Sequence, residues 1–123
     1  MLIVEDEIYL RKLLLATLEG SGHEILEAGN GLEALALARA HRPEVILLDV
    51  MMPGTMNGLD VCRQIRSDPD LDGCHVVLLT ALGQEADRVA GEAAGADAYV
   101  VKPFSPAKLL ETIRAMQSPL SVR

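Results

Sequence analysis

Apolar and polar positions along this chain switch repeatedly between two rhythms. Leu2-Ile3-Val4 is a short apolar run that stops at Glu5-Asp6-Glu7. From Ile8 to Glu19 the spacing turns helical, which predicts one buried stripe of Leu10, Leu13, Leu14, Thr17 and Leu18. Gly20 and Gly22 are placed to end that helix. His23 to Ala28 fits a second strand, and Asn30 with Glu33 three residues on opens a second helix to about Arg42, closed by Pro43. Val45-Ile46-Leu47-Leu48 and Val76-Val77-Leu78-Leu79 are unbroken apolar runs, as in parallel strands covered on both faces. The first ends in Asp49 and the second in Thr80.

Between those runs the pattern predicts a helix from about Gly58 to Arg66, then turn chemistry from Ser67 to Gly73. Ala86 to Ala94 is an alanine-rich helix containing Gly91, whose presence costs about 1 kcal/mol relative to alanine. That glycine suits either a mobile helix or one lying close on the sheet. Ala98 to Val101 is a fifth strand ending at Lys102-Pro103. Ser105 caps a last helix, with Pro106 at its first position and Leu109, Leu110 and Ile113 facing inward. The order is (βα)5, which implies an α/β fold: a parallel five-stranded sheet, doubly wound, with helices on both faces. Right-handed crossovers then bring all five carboxyl ends of the strands to one edge, where such sheets bind ligands.

Composition narrows the chemistry. A chain of 123 residues, half of them apolar and 24% charged, makes one compact domain. We expect residues 1–117 to form it and residues 118–123 to be a short tail. The net charge of −7, with basic residues scattered, argues against direct nucleic-acid binding. Cys62 and Cys74 lack any zinc-ligand spacing and fit plain thiols in a reducing compartment. No apolar run reaches the roughly 20 residues needed to cross a bilayer, so a cytoplasmic location without membrane contact is expected.

The strand ends gather Glu5, Asp6, Asp49, Thr80 and Lys102. Singly, each has an ordinary explanation: acids favour helix starts, and a lone lysine is usually a solvated charge. Jointly, three converging carboxylates repel one another unless a cation lies among them. An all-oxygen set completed by water suits Mg²⁺. Lys102 and Thr80 would add a positive charge and a hydroxyl, suitable partners for a phosphoryl group carried on a carboxylate. His23, His41 and His75 lie away from this rim.

Four segments, I-V-E-D-E (Ile3 to Glu7), L-L-D-V-M-M-P-G (Leu47 to Gly54), L-L-T-A (Leu78 to Ala81) and D-A-Y-V-V-K-P-F (Asp97 to Phe104), resemble the receiver domains of two-component response regulators. The resemblance runs over essentially the whole chain and implies the flavodoxin-like strand order 2-1-3-4-5. It implies that Asp49 accepts a phosphoryl group from a sensor histidine kinase or phosphotransfer protein. Glu5, Asp6 and Asp49 would hold Mg²⁺ with the backbone carbonyl of Met51, and Lys102 would pair with phosphoryl oxygens. Thr80 and Tyr99 would be the switch pair, signalling through the fourth helix, fifth strand and fifth helix. The Lys102-Pro103 bond would be cis. On this reading the chain is a switch and not an enzyme: it promotes only its own phosphotransfer and dephosphorylation. Its target would be a downstream protein or an output domain absent from this chain, and a homodimer through the same surface is compatible.

Two features depart from the resemblance. The Met52 to Gly58 loop is one residue longer than usual, and only four residues precede Glu5. Met51, Met52 and Met56 are read as loop packing. The main rival is a Mg²⁺-dependent phosphohydrolase of the haloacid-dehalogenase type, also built around an aspartyl nucleophile. It would want D-x-D after the first strand, where this chain has Glu5-Asp6-Glu7. A flavin-binding module would want a phosphate-cradling glycine loop at the same place.

Overall fold

The computed structural model describes residues 1–20, 22, 24–52, 54, 56–81 and 85–117. The elements run β1 (Leu2–Val4), α1 (Ile8–Leu18), β2 (Leu26–Ala28), α2 (Gly31–His41), β3 (Val45–Asp49) and α3 (Gly58–Ser67). They continue with a 3-10 turn (Pro69–Leu71), β4 (His75–Ala81), α4 (Glu85–Ala94), β5 (Ala98–Lys102) and α5 (Pro106–Gln117). All strand pairs are parallel and the sheet order is β2-β1-β3-β4-β5. Chain order therefore reverses at β1, and the crevice between the carboxyl ends of β1 and β3 is the natural ligand position.

Period-two alternation divides the core into two layers. Leu2, Val4, Ile46, Leu48, Val76 and Leu78 face α2, α3 and α4, where Leu35, Ala38, Val61, Ile65 and Ala94 meet them. Ile3, Val45, Leu47, Val77, Leu79 and Val100 face α1 and α5, meeting Leu14, Leu18, Leu109 and Ile113. Every residue of β1 and β3 is buried, as expected of strands covered on both sides.

Local chemistry sets the helix ends. Asn30 Oδ1 accepts the Glu33 N–H at 2.9 Å, while the Glu33 carboxylate reaches past it to the Gly29 N–H at 2.7 Å. Asn57 and Asp60 form a reciprocal capping box at the start of α3. Ser105 Oγ accepts the Lys108 N–H, as its position before Pro106 predicts. Glu7 caps α1 by accepting the Tyr9 and Leu10 N–H groups at 3.1 and 2.6 Å.

The α1 stripe differs from expectation. Leu10, Leu14 and Leu18 turn inward at steps of four, but Leu13 is 47% exposed and Leu15 packs in its place. One residue rotates about 100° around a helix, and the narrow sheet covers only one shoulder of the stripe. The second strand is also shorter than expected, starting at Leu26, and the predicted start at His23 lies outside the described residues. Pro53 and Thr55 of the lengthened loop, and the tail 118–123, likewise lie outside them. Met52 and Met56 pack on the core, whereas Met51 is 68% exposed.

The alanine-rich α4 lies close on the sheet. Gly91 is buried, and a Cβ there would press on Leu78 Cδ1 and come within 2.9 Å of the Tyr99 ring. Close packing accounts for this glycine.

Candidate phosphoacceptor site

The site is built from the first residues after β1 and the last residues of β3 and β5. Carboxylate oxygens of Glu5, Asp6 and Asp49 lie within 4.8 Å of one another. Lys102 Nζ lies 3.0 Å from Asp49 Oδ1 and 3.5 Å from Glu5 Oε1. Strand parity explains the convergence: Glu5 follows Ile3, Asp49 follows Leu47 and Lys102 follows Val100, all on the α1/α5 face. Asp49 Oδ1 also accepts the Met51 N–H at 3.1 Å. The exposed Met51 thioether takes no part.

Burial is uneven. Glu5 is fully enclosed and Asp49 is 3% exposed, while Asp6 opens to solvent. Enclosure disfavours the charged form of Glu5 and raises its pKa to about 7. The Glu7 N–H, donated to Oε2 at 3.1 Å, opposes that rise; Asp49 adds to it and Lys102 counters it. Glu7 itself is committed to capping α1, so it is not one of the clustered acids.

Three carboxylates thus face one ammonium group, with no nitrogen or sulfur donor among them. That donor set fits a small hard cation holding part of its hydration shell. Mg²⁺ meets that description.

Thr80 and Tyr99 lie elsewhere. Thr80 follows Val76 and Leu78, and Tyr99 pairs in register with Leu78, so both belong to the α4 side of the sheet. Thr80 is 3% exposed and makes no hydrogen bond to the acids or Lys102 among the described residues. The Tyr99 hydroxyl is buried without a partner among the described residues. The Lys102-Pro103 peptide is cis. His41 ends α2 and His75 starts β4, both at the edge opposite the acids.

Two residues of the site escape a reading by residue type. Gly58 sits directly behind Asp49: a Cβ there would strike the Asp49 carbonyl oxygen and come within 2.8 Å of its carbonyl carbon and of Val50 Cα. A glycine at a helix start with no turn to satisfy is the only hint in the chain. Arg11, one turn into α1, donates from Nε to the Glu5 carbonyl at 2.9 Å. Nothing in its spacing marks it out.

A family model for the response regulator receiver domain matches residues 1–114. The chain belongs to the response regulator receiver domain family. This receiver is 46% identical to the transcriptional regulatory protein ResD of Bacillus subtilis over 116 residues, 94% of this chain and 47% of that one. It is 43% identical to the DNA-binding response regulator MtrA of Mycolicibacterium paratuberculosis over 115 residues, 94% of this chain and 49% of that one. The chain thus spans about half the length of the curated relatives it matches. Among solved structures it is similar to the chemotaxis response regulator CheY4 of Vibrio cholerae, with TM-score 0.85, 35% identity and 94% and 95% of the two chains covered. It is also similar to the receiver domain of a signal transduction histidine kinase from Syntrophus aciditrophicus, with TM-score 0.87, 35% identity and 95% and 88% covered. Receivers of this family are in general signalling switches. No helix among the described residues is long and apolar enough to cross a membrane.

Proposed function

We propose that Asp49 is the phosphoacceptor of this receiver and that Glu5, Asp6, Asp49 and the Met51 carbonyl hold Mg²⁺ beside it. The observation that carries this reading is the contact of Asp49 Oδ1 with Lys102 Nζ at 3.0 Å, inside a cluster of three carboxylates. Oδ1 is held by both the Met51 N–H and Lys102, so Oδ2 is the oxygen free to attack phosphorus. As the new Oδ2–P bond forms, the bond from phosphorus to the donor nitrogen of a kinase phosphohistidine breaks in line. Lys102 then moves from the carboxylate to a phosphoryl oxygen, its charge fixed by the end of β5. Mg²⁺ held by Glu5, Asp6, Asp49 and the Met51 carbonyl would supply further positive charge to the transferring phosphoryl group. The acyl phosphate is labile, and its hydrolysis resets the switch; the chain promotes only these two steps.

Thr80 is the hydroxyl that turns toward the phosphoryl group, and Tyr99 is the residue through which α4, β5 and α5 read it. Residues 1–117 form the receiver body. A sensor histidine kinase or phosphotransfer protein is the phosphoryl source, in the cytoplasm. The output is a downstream protein or a segment of a longer protein. MtrA, of which a receiver of this size is half, is named for DNA binding; the acidic surface here suits a protein contact instead.

Acetyl phosphate with Mg²⁺ should label wild type and leave Asp49→Asn unlabelled. Equal labelling of both would move the acceptor elsewhere. Steady release of phosphate from unrelated monoesters would favour the phosphohydrolase.

A further inference from the structure

Arg11 is tied to the site without touching the reacting atoms. Its Nε donates to the Glu5 carbonyl at 2.9 Å, and its Nη1 lies 3.8 Å from Glu27 Oε1 on β2. The guanidinium fills the space over Gly29, where a Cβ would come within 2.8 Å of Nη2. The Glu5 N–H meanwhile donates to the Ala28 carbonyl at 3.1 Å. Both backbone groups of Glu5 are therefore anchored to the β2 side, one directly and one through Arg11. Its side chain is held in turn by the Glu7 N–H and Lys102. β1 contributes only three residues, so the peptide joining Glu5 to Asp6 lies beyond the sheet ladder. Arg11 replaces the missing ladder contact for that carbonyl.

We propose that Arg11 is a positioning residue for the acidic pair, holding the Glu5-Asp6 peptide so that three carboxylates converge tightly enough to take a divalent cation. This rests on reading those carboxylates as a metal site. The sign of the effect separates positioning from plain charge. A cation near a metal site repels the metal, so removing the charge alone would tighten binding. Removing a positioning contact loosens it, typically by 10–100-fold for groups that orient metal ligands.

The test is Mg²⁺ titration of the full chain, followed by amide NMR shifts, with urea stability of the metal-free protein measured in parallel. Arg11→Gln should weaken Mg²⁺ binding by roughly tenfold. Gly29→Ala keeps the charge but crowds the guanidinium, and should weaken binding in the same direction while retaining the fold if Arg11→Gln does not. Tighter or unchanged Mg²⁺ binding in the folded variants, with or without loss of urea stability, overturns the proposal. Wild type that binds no Mg²⁺ at millimolar concentration would instead overturn the metal reading beneath it.

Discussion

Gly58→Ala tests how tightly the backbone behind Asp49, the proposed phosphoacceptor, is packed. The added methyl would strike the Asp49 carbonyl oxygen and lie 2.8 Å from two backbone carbons, against a comfortable separation of about 3.5–4 Å. Neither neighbour is a side chain that can rotate away. Nor can α3 simply withdraw, because the Gly58 N–H donates to the Val50 carbonyl at 3.0 Å. Replacing glycine restricts the unfolded chain and by itself would stabilise by about 0.4–1 kcal/mol. Overpacking costs about 1–3 kcal/mol, and a weakened hydrogen bond adds about 1 kcal/mol. The steric side wins, leaving a net loss of about 2 kcal/mol. With an m-value of about 1.5 kcal/mol/M, the urea midpoint should fall by roughly 1.3 M. Any relaxation that spares stability must move the Asp49 backbone, so acetyl phosphate uptake should then slow. A variant with both midpoint and uptake rate at wild-type values would refute the packing argument.

Glu5 gives an unusual pH dependence. Its folded pKa, near 7 because of burial, exceeds the 4.5 of an unperturbed glutamate. The folded protein therefore holds more protons than the unfolded chain between those values, and stability falls as pH rises through that window. In EDTA, the wild-type urea midpoint should be higher at pH 5 than at pH 8, and Glu5→Gln should lessen that fall; an equal slope in both proteins refutes the assignment. Gly91→Ala pits a helix-propensity gain of about 1 kcal/mol against crowding of the fully buried Leu78 and the Tyr99 ring. Crowding at about 1–3 kcal/mol should prevail and lower the midpoint, whereas a raised midpoint would show α4 free to lift.

Sequence reading succeeded where side-chain period and strand ends carry the information. Unbroken apolar runs at Val45–Leu48 and Val76–Leu79 suit strands covered on both faces, and both are such strands, with Asp49 at the end of the first lying in the acidic cluster. It failed where a residue's role depends on a backbone contact that side-chain type and spacing do not encode. Gly58 is defined by the Asp49 carbonyl it must clear, and Arg11 by the carbonyl of Glu5, six residues back and before the helix, that no side-chain pattern marks. Glu7 belongs by charge to the acidic run, yet its backbone position at the start of α1 draws its carboxylate onto two helix N–H groups and away from the cluster. Leu13 shows the converse limit: helical spacing marks a stripe, but the width of what covers it is a tertiary fact.

The same alternation that hides these details divides the labour of the site. Glu5, Asp49 and Lys102 lie on the α1/α5 side of the sheet, whereas Tyr99 packs under α4 on the other. A charge change on Asp49 cannot reach Tyr99 through the buried apolar strands between them, which offer no polar relay. The carboxyl rim is the available route, and Thr80 occupies it, on the α4 side and one residue beyond the register partner of Asp49. On the proposed reading, the Thr80 hydroxyl would be drawn over that rim toward new phosphoryl oxygens, on the same side of the sheet as the buried Tyr99 hydroxyl, which has no partner among the described residues. On the proposed switch reading, signalling across this sheet would pass over the rim, where Thr80 stands next to last in β4 after four purely apolar residues.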